Sequence, residues 1–490
     1  MKSLTSEACY RAIQTRDARF DGRLFVGVTS TGIYCRPVCP ARTPKFEHCR
    51  FFVSAAAAQA AGFRPCLRCR PETAPDVASW RGTSNTVSRA LALIAEGGLD
   101  GDENVEALAA RLGVGERQLR RLFQKHLGAS PMAVAQTRRV LIAKQLLHET
   151  QLPVTQVALA AGFGSVRRFN ETFHALFGRP PSALRRKSLR SGDAEAPITL
   201  LLRYRAPYDW DTMLAYLAAR AIAGVECVER GVYRRTTVTD GVCGTVEVAH
   251  AAARNSLQVT IRVPGVRTLP AIVARVRRAF DLGADITSIG SHLARDPLLA
   301  PLVAQRPGLR APGAWDGFEL AVRAVLGQQI TVEAARQLAN RLVTLCGSPL
   351  RGESRRDQRL TCLFPSADCL ANADLAALGM PASRRAALQA LARAALAEPR
   401  LLESHGTQED VLARLRSIPG IGAWTAEYIA LRAWREPDAF PASDVGLLRG
   451  AAGLMDVRPT PASLLDRAEP WRPWRAYAAQ HLWAAQVVYG

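Results

Sequence analysis

Four cysteines near the start of the sequence have the residue type and spacing of a zinc site. Cys35 and Cys39 are separated by three residues, and Cys66 and Cys69 by two. Zn²⁺ binds four thiolates tetrahedrally at about 2.3 Å, and two short-spaced pairs close such a site with little loop strain. The pattern predicts one zinc ion with a complete ligand set. That ion either stabilises the fold of a small domain or binds a thiolate that remains nucleophilic.

A second pattern with chemical content lies near the end, in Ile418-Pro-Gly-Ile-Gly-Ala-Trp-Thr-Ala-Glu-Tyr. Gly420 and Gly422 permit a tight turn whose backbone amides can approach phosphate oxygens, and a helix predicted after the turn favours the same anion. An acidic residue, Asp444, follows Gly422 by twenty-two positions. The combination is more specific than the two glycines alone, although Asp444 could instead cap a helix.

The composition limits what kind of protein positions these residues. A chain of 490 residues is long enough for three or four domains, each with its own core. The net charge of +21 indicates polyanionic partners, and residues 1–192 carry +15 of it. The start lacks the apolar run of a signal peptide, and no stretch reaches membrane-spanning length, so we expect a cytoplasmic protein with cysteines as thiols or metal ligands.

The basic part of the sequence divides into two predicted domains. Residues 1–80 combine short strands with a helix that Ser54 caps, and we expect so small a core to need its metal. Residues 84–187 contain two helix-turn-helix patterns joined by a helix over 131–149, an arrangement that places two recognition helices in successive major-groove segments. Their outward-facing arginines are Arg117, Arg120 and Arg121 in the first unit and Arg167 and Arg168 in the second.

The two basic domains resemble a known pair. Val26-Gly-Val-Thr-Ser-Thr-Gly-Ile-Tyr-Cys-Arg-Pro-Val-Cys-Pro is similar to the zinc domain of the Ada response proteins, and the following domain resembles the AraC type. The resemblance implies that Cys35 accepts a methyl group from a methylated DNA phosphotriester. Arg36 and Arg68, beside the cluster, are expected to hold the DNA backbone. Ada's second methyltransferase motif, Pro-Cys-His-Arg, is absent from the sequence, so we expect no direct repair of O6-methylguanine.

After a polar linker at 188–197, the remaining sequence resembles the AlkA-type 3-methyladenine DNA glycosylases of the helix-hairpin-helix superfamily. The similarity includes Ala206-Pro-Tyr-Asp-Trp, Val325-Leu-Gly-Gln-Gln-Ile and the glycine hairpin. We expect an α+β domain with an antiparallel sheet at 198–308 and a helical glycosylase domain at 309–490. The predicted fold class is therefore multidomain and mainly α, with α+β parts.

This resemblance implies a mechanism that the residues support. No lysine follows Lys187, which excludes a lysine Schiff base in this half, so the predicted enzyme is monofunctional. Asp444 would stabilise the cationic sugar and orient or deprotonate the attacking water. The aromatic residues Trp424, Tyr428 and Trp483 would stack on a cationic base, with core packing as the alternative for Trp483.

Further residues are expected to contact DNA. Gln329 matches the position from which AlkA inserts an apolar wedge into the duplex, and here it is an amide. Gly420, Gly422 and Thr425 of the hairpin are predicted to contact the backbone. The resemblance alone adds a monovalent cation at the hairpin carbonyls. Val445 replaces AlkA's Tyr after the catalytic Asp.

Three functions follow as hypotheses. The leading one is a bifunctional alkylation-response protein that excises alkylated bases and activates transcription after methyl transfer to Cys35. A regulator whose second half only binds DNA is the first alternative, and a repair enzyme with a merely DNA-binding first half is the second. We expect alkylated and promoter DNA and RNA polymerase as partners, no membrane association, and a nucleoid-associated monomer.

Overall fold

The structure is a computed structural model in which two compact units are recognised. It describes residues 5–17, 20–74, 85–100, 104–185, 197–350, 357–399, 401–402, 408–455 and 459–489. The first unit comprises Met1–Tyr204, Ala252–Ala274 and Leu282–Ala284, and the second Arg205–Ala251, Arg275–Asp281 and Asp285–Gly490. Except for residue 197, the predicted linker at 188–197 lies outside the described residues.

The cysteine-bearing segment is a four-stranded sheet with two helices. Its strand order is β3-β1-β2-β4, antiparallel except for the parallel β2–β4 pair. Ser54 caps the second helix as the sequence predicts, because its hydroxyl accepts from the Ala57 amide. The elements are α1 (Ser6–Gln14), β1 (Phe25–Val28), β2 (Ile33–Cys35), β3 (Cys49–Phe52), α2 (Ala55–Ala60) and β4 (Arg64–Pro65), with 3-10 turns at Phe46–His48 and Pro71–Thr73.

Six helices follow within residues 85–100 and 104–185, and they contain both predicted helix-turn-helix pairs. The turn of the second pair needs a glycine at Gly162, where φ is +83° and a Cβ would lie 2.4 Å from an Asp100 carboxylate oxygen. Phe123, Phe169 and Phe173 are fully buried and anchor the recognition helices. The helices are α3 (Asn85–Ala95), α4 (Val105–Arg111), α5 (Glu116–Leu127), α6 (Pro131–Glu149), α7 (Val154–Ala160) and α8 (Val166–Phe177), followed by a 3-10 turn at Pro181–Leu184.

The long helix α6 binds the cysteine loop through a buried ion pair. The ammonium of Lys144 donates to Glu72 at 2.7 Å and to the carbonyl of Cys66 at 2.8 Å. Burial alone would raise the pKa of Glu72, but His148 and Lys144 lower it to about 2. Arg70 adds a 2.8 Å bond to Glu149 at the end of the helix. The loop that carries the second cysteine pair is therefore fixed to α6.

The same helix end also holds the strand that follows the linker. That strand, β5 (Ile198–Arg203), pairs antiparallel with Ser256–Arg262. On its other side, the Leu201 amide donates to Glu149 at 3.3 Å and the Leu201 carbonyl accepts from Gln145 at 3.2 Å. Both backbone groups of Leu201 that face away from the partner strand are thus bonded to α6.

The segment after β5 has the predicted α+β character. Three consecutive strands form antiparallel hairpins, β6 with β7 and β7 with β8. The elements are α9 (Trp210–Arg220), β6 (Glu226–Glu229), β7 (Val232–Thr239), β8 (Val242–Ala251), β9 (Ser256–Arg262), α10 (Leu269–Ala279), α11 (Ile286–Leu293) and α12 (Ala300–Gln305), with a 3-10 turn at Ala252–Arg254.

The last segment is helical as expected, apart from one two-stranded ribbon. Helix α13 packs against α14, α16 and α18, and α19 packs against α21. The elements are α13 (Gly317–Leu326), α14 (Val332–Cys346), β10 (Ser348–Pro349), β11 (Cys362–Leu363), α15 (Ala367–Asn372), α16 (Ala382–Ala397), α17 (Gln408–Arg416), α18 (Ala423–Arg432), α19 (Val445–Ala452), α20 (Pro461–Arg467) and α21 (Arg475–Tyr489), with 3-10 turns at Ala376–Leu378 and Glu469–Trp471. None of the helices described is both long and apolar enough to cross a bilayer.

Candidate functional site

The four predicted metal ligands come together in the first unit. The sulfur atoms of Cys35, Cys39, Cys66 and Cys69 all lie within 4.8 Å of one another. An ideal tetrahedron with 2.3 Å bonds places its sulfurs about 3.8 Å apart, so the cluster fits one Zn²⁺ ion. The second pair is buried, whereas the first pair is half-exposed.

Backbone N–H groups bond to the sulfurs of the buried pair. The sulfur of Cys69 accepts from the Arg36 amide at 3.4 Å, and that of Cys66 from the Arg68 amide at 3.3 Å. The half-exposed sulfurs of Cys35 and Cys39 form the more accessible side of the cluster.

The structure places Arg36 inside the loop of the cluster. Its side chain is only 6% exposed, forms an ion pair with Asp21, and donates to the Cys69 carbonyl and the Thr73 hydroxyl. A guanidinium held in this way braces the loop, and its contact with a DNA phosphate stays a prediction. Arg68, by contrast, is exposed as the prediction requires.

All five arginines predicted on the recognition helices are exposed. Arg120 on α5 forms an ion pair with Glu116, and Arg167 on α8 forms one with Glu171, each four residues away on its helix. Such surface pairs are weak and exchange readily for phosphate contacts. The full set consists of Arg117, Arg120, Arg121, Arg167 and Arg168.

The glycine hairpin joins α17 to α18. Gly420 has φ of +84°, and a Cβ there would lie 2.4 Å from the Ala387 Cβ, so no other residue fits. Gly422 precedes α18, and a Cβ at this position would meet no described atom within 4 Å, which leaves its amide approachable. The side chain of Thr425 lies inside the hairpin, and its contact with DNA stays a prediction. It is 2% exposed and accepts from Gln328, whose amide also donates to the Gly420 carbonyl, so its side chain braces the hairpin.

Asp444 lies at the N-terminus of α19, where three donors hold its carboxylate. Oδ1 accepts from the Leu447 amide at 2.9 Å and from the indole of Trp483 at 2.8 Å, and Oδ2 accepts from the indole of Trp424 at 2.7 Å. Asp444 thus caps the helix, the alternative raised by the sequence, and also lies among the predicted pocket aromatics. A Cβ at Gly446 would lie 2.8 Å from Asp444 Oδ1, so this glycine keeps the carboxylate accessible to its donors.

The predicted aromatic residues form one cluster around this carboxylate. Trp424 and Tyr428, one helical turn apart on α18, stack with centroids 5.4 Å apart and planes at 15°. The ring of Trp483 meets Tyr428 edge to face at 6.3 Å. The indole bond of Trp483 to Asp444 places that residue in the site, beyond the core-packing role considered from sequence.

Two residues that the sequence reasoning missed complete the cluster. Arg432 is 2% exposed, and its guanidinium lies over the rings of Tyr428 at 5.6 Å and Trp483 at 4.9 Å. It also lies over Tyr216 of α9, whose hydroxyl is 3.4 Å from that of Tyr428. The i, i+4, i+8 spacing of Trp424, Tyr428 and Arg432 was a signal for one helix face.

Gln329 is exposed in the loop between α13 and α14. Its φ of +58° lies in the left-handed region that non-glycine residues rarely adopt. The neighbouring Gln328 carbonyl accepts from Arg384 at 2.6 Å, and the Gln328 side chain contacts the hairpin. The loop is therefore fixed on both sides while Gln329 projects from it.

Fold and site together define a class: a helix-hairpin-helix base-excision protein joined to a zinc-bearing helix-turn-helix module. Four family models match the chain in the same order. They are the metal binding domain of Ada at 8–72, a helix-turn-helix domain at 108–187, the AlkA N-terminal domain at 199–316, and the HhH-GPD superfamily base excision DNA repair protein at 322–475.

Individual relatives are consistent with these matches. The chain is 43% identical to the probable bifunctional transcriptional activator/DNA repair enzyme AlkA of Mycobacterium tuberculosis, over 97% of this chain and 96% of that protein. It is 38% identical to DNA-3-methyladenine glycosylase 2 of Escherichia coli, over 58% of this chain and 95% of that one. A 3-methyladenine DNA-glycosylase structure from Archaeoglobus fulgidus, 21% identical, covers 59% of this chain and 99% of its own with a TM-score of 0.52, which supports the fold. The chain belongs to the family of bifunctional transcriptional activator/DNA repair enzymes.

Proposed function

We propose that this protein excises N-alkylated bases from DNA by monofunctional hydrolysis and activates transcription after methyl transfer to its zinc cluster. The observation that carries the first activity is the carboxylate of Asp444, held by the indoles of Trp424 and Trp483 close to a glycine hairpin. Three donors fix its orientation and leave one of its four lone pairs, on Oδ2, for substrate. Preorganised charge of this kind stabilises a cation without reorganisation during the reaction.

In the proposed reaction, a flipped nucleotide enters the aromatic cluster. The bond between the sugar C1′ and the base nitrogen breaks, and its electron pair leaves with the base. Asp444 stabilises the positive charge on the sugar and takes a proton from the water that adds to C1′. An alkylated cationic base departs as a neutral molecule, so it needs no proton donor. Stacking on Trp424 favours such a cation by about 0.5–2 kcal/mol.

Release of free base from duplex DNA tests this activity. The full chain is incubated with DNA treated with a methylating agent, and liberated 3-methyladenine and 7-methylguanine are separated by chromatography. We expect both bases to appear with an intact sugar-phosphate backbone, because the second half has no lysine to cleave it. Retained binding with no base released at any enzyme concentration would instead favour a regulator whose second half only binds DNA.

The observation that supports the second activity is the partial exposure of Cys35 within the four-cysteine cluster. Bound zinc would keep all four thiols ionised. The Cys35 sulfur would attack the methyl carbon of a methylphosphotriester, forming an S–C bond while the C–O bond breaks and the phosphodiester leaves as an anion. Because the cluster then changes from a net charge of −2 to −1, its repulsion of DNA phosphates weakens. Arg68 and the recognition-helix arginines would supply the phosphate contacts.

Mass spectrometry of the protein after exposure to methylated DNA tests the acceptor. We expect one added methyl group, located on the peptide containing Cys35. Cys49→Ser is the matched control, because Cys49 is a half-buried cysteine outside the cluster and its loss should leave methyl uptake unchanged. A methyl group found on a different cluster cysteine would contradict the assignment.

Three finer assignments complete the proposal. We propose that the carbonyls of Arg416, Ile418 and Gly420 bind a monovalent cation that bridges to a DNA phosphate. Gln329 enters the duplex as the polar wedge, supported by its exposure and its fixed loop. The protein acts as a nucleoid-associated monomer and contacts RNA polymerase when bound at promoters.

A further inference from the structure

The aromatic cluster does not offer all of its rings for stacking. Trp424, Tyr428 and Arg432 follow one another at four-residue intervals on α18, so they form a ladder along one helix face. Tyr428 lies in the middle, with Trp424 stacked on one side and the Arg432 guanidinium over its ring on the other. With both faces covered, Tyr428 can present only its edge and hydroxyl to a base.

Guanidinium groups also lie over the neighbouring aromatic rings. Arg432 lies over Trp483 at 4.9 Å and over Tyr216 at 5.0 Å, and Arg220 lies over Tyr216 at 4.0 Å. A ring already facing a guanidinium attracts a second cation less, because the two positive charges repel each other. Among the described residues, no guanidinium covers Trp424. Trp424 is therefore the ring suited to a cationic base.

The hydroxyls of Tyr216 and Tyr428, the tyrosine pair, form a polar edge within the cluster. Burial works against ionisation of Tyr216, but the charges of Arg432 and Arg220 outweigh it and lower the pKa of its hydroxyl. Burial raises the pKa of Tyr428 to about 12. The two hydroxyls are 3.4 Å apart and either can donate to the other, so one proton of the pair remains to be donated to a base.

A hydrogen-bond donor favours the release of bases that aromatic stacking alone does not stabilise as they leave. When a neutral purine leaves the sugar, it carries away the electron pair of the glycosidic bond and becomes an anion. A hydrogen bond to its ring nitrogen or carbonyl oxygen stabilises that developing charge. A cationic alkylated base becomes neutral on leaving and gains little from the same bond.

We propose that the tyrosine pair touches the flipped base and assists the departure of neutral purines, with one of its two hydroxyls as the donor. The proposal rests on the glycosylase activity proposed above. In this step water adds its hydroxyl to C1′ and Asp444 takes the second proton of that water. The purine receives one proton from solvent through the hydroxyls of Tyr216 and Tyr428. Nothing is oxidised or reduced.

Single-turnover release of two bases tests the proposal in the full chain. One duplex carries a single hypoxanthine, a neutral purine with a carbonyl acceptor, and the other a single 7-methylguanine, which is cationic. Tyr216→Phe keeps the ring and removes the hydroxyl. We expect it to slow hypoxanthine release about tenfold or more and to change 7-methylguanine release less than about threefold. Tyr428→Phe should act in the same direction, because the proposed proton path uses both hydroxyls.

Tyr208→Phe is the matched control. Tyr208 has its hydroxyl bonded to the Phe280 carbonyl, and its removal should leave both rates unchanged. Equal losses for both bases in Tyr216→Phe would show a packing role and overturn the proposal, as would unchanged hypoxanthine release. Failure of the unaltered protein to release hypoxanthine while it releases 7-methylguanine would overturn it as well. Release of neither base would refute the glycosylase activity itself.

Discussion

Replacing Asp444 with asparagine isolates the charge of the proposed catalytic group. Asparagine has nearly the same shape and caps helices equally well, so α19 should keep its N-terminal bond to Leu447. If the amide oxygen takes the position of Oδ1, the amide nitrogen faces the indole N–H of Trp424, which loses its acceptor. The variant therefore differs from the parent by one negative charge and one hydrogen bond.

The lost hydrogen bond and the lost negative charge are detected by different measurements. A buried donor left without its acceptor costs about 1–3 kcal/mol of folding free energy. Removing a preorganised group that faces developing charge costs about 3–4 kcal/mol in the transition state, which corresponds to roughly 10²–10³-fold in rate. We expect Asp444→Asn to slow base release by that factor while its affinity for duplex DNA is retained.

The assay is single-turnover release of 7-methylguanine, alongside chemical denaturation and a DNA competition titration. Asp316→Asn is the matched control, because Asp316 caps α13 through bonds to the Phe318 and Glu319 amides and lies outside the aromatic cluster. Its release rate should stay within about twofold of the parent. Asp444→Asn with a rate within about threefold of the parent would refute the assignment of Asp444.

Three further perturbations have definite expected outcomes. Gly446→Ala should lower release at least about tenfold with unchanged DNA affinity, because the added carbon would lie 2.8 Å from Asp444 Oδ1 and 3.1 Å from the Trp483 ring; an unaffected rate would contradict this packing. Lys144→Met should destabilise the first unit by up to about 3–5 kcal/mol in denaturant, because it removes the nearest cation from the buried Glu72 carboxylate and leaves Arg70 and His148 as its partners, and adding Glu72→Gln should restore much of the loss. Chelation of the metal should expose the four cluster thiols to alkylating reagents and remove methyl uptake while base release continues; thiols that remain protected would contradict a folding role for the metal.

The cysteine cluster and the glycine hairpin could be predicted because each depends on residues that are close together in the sequence. Cys35 and Cys39 on one loop and Cys66 and Cys69 on another leave few alternatives to a metal site, and Gly420 is required by a local backbone conformation. The helix pairs followed from apolar periodicity and glycine turns in the same way. Such features depend on neighbours in sequence, which a sequence displays directly.

Other features of the candidate site could not be predicted, because they depend on contacts between residues that are far apart in the sequence. Tyr216 is 212 positions from Tyr428, and nothing in the pattern of α9 shows that its hydroxyl enters the cluster. No local sequence feature separates Arg36 from the other arginines near the cluster. In the structure it is buried and bonded to Asp21 and Thr73. The side chain of Thr425 is buried and bonded to Gln328, ninety-seven positions away in the sequence. In each case a long-range partner, absent from the local pattern, decided the role.

The contacts at Leu201 have a consequence for dividing the chain. The amide and carbonyl of Leu201 in β5 are bonded to Glu149 and Gln145 of α6, so a fragment beginning at 198 would lose both bonds on this sheet edge. Exposed edges recruit strands from other molecules and promote aggregation. We therefore expect a fragment that keeps α6 to be more soluble than one that begins at 198.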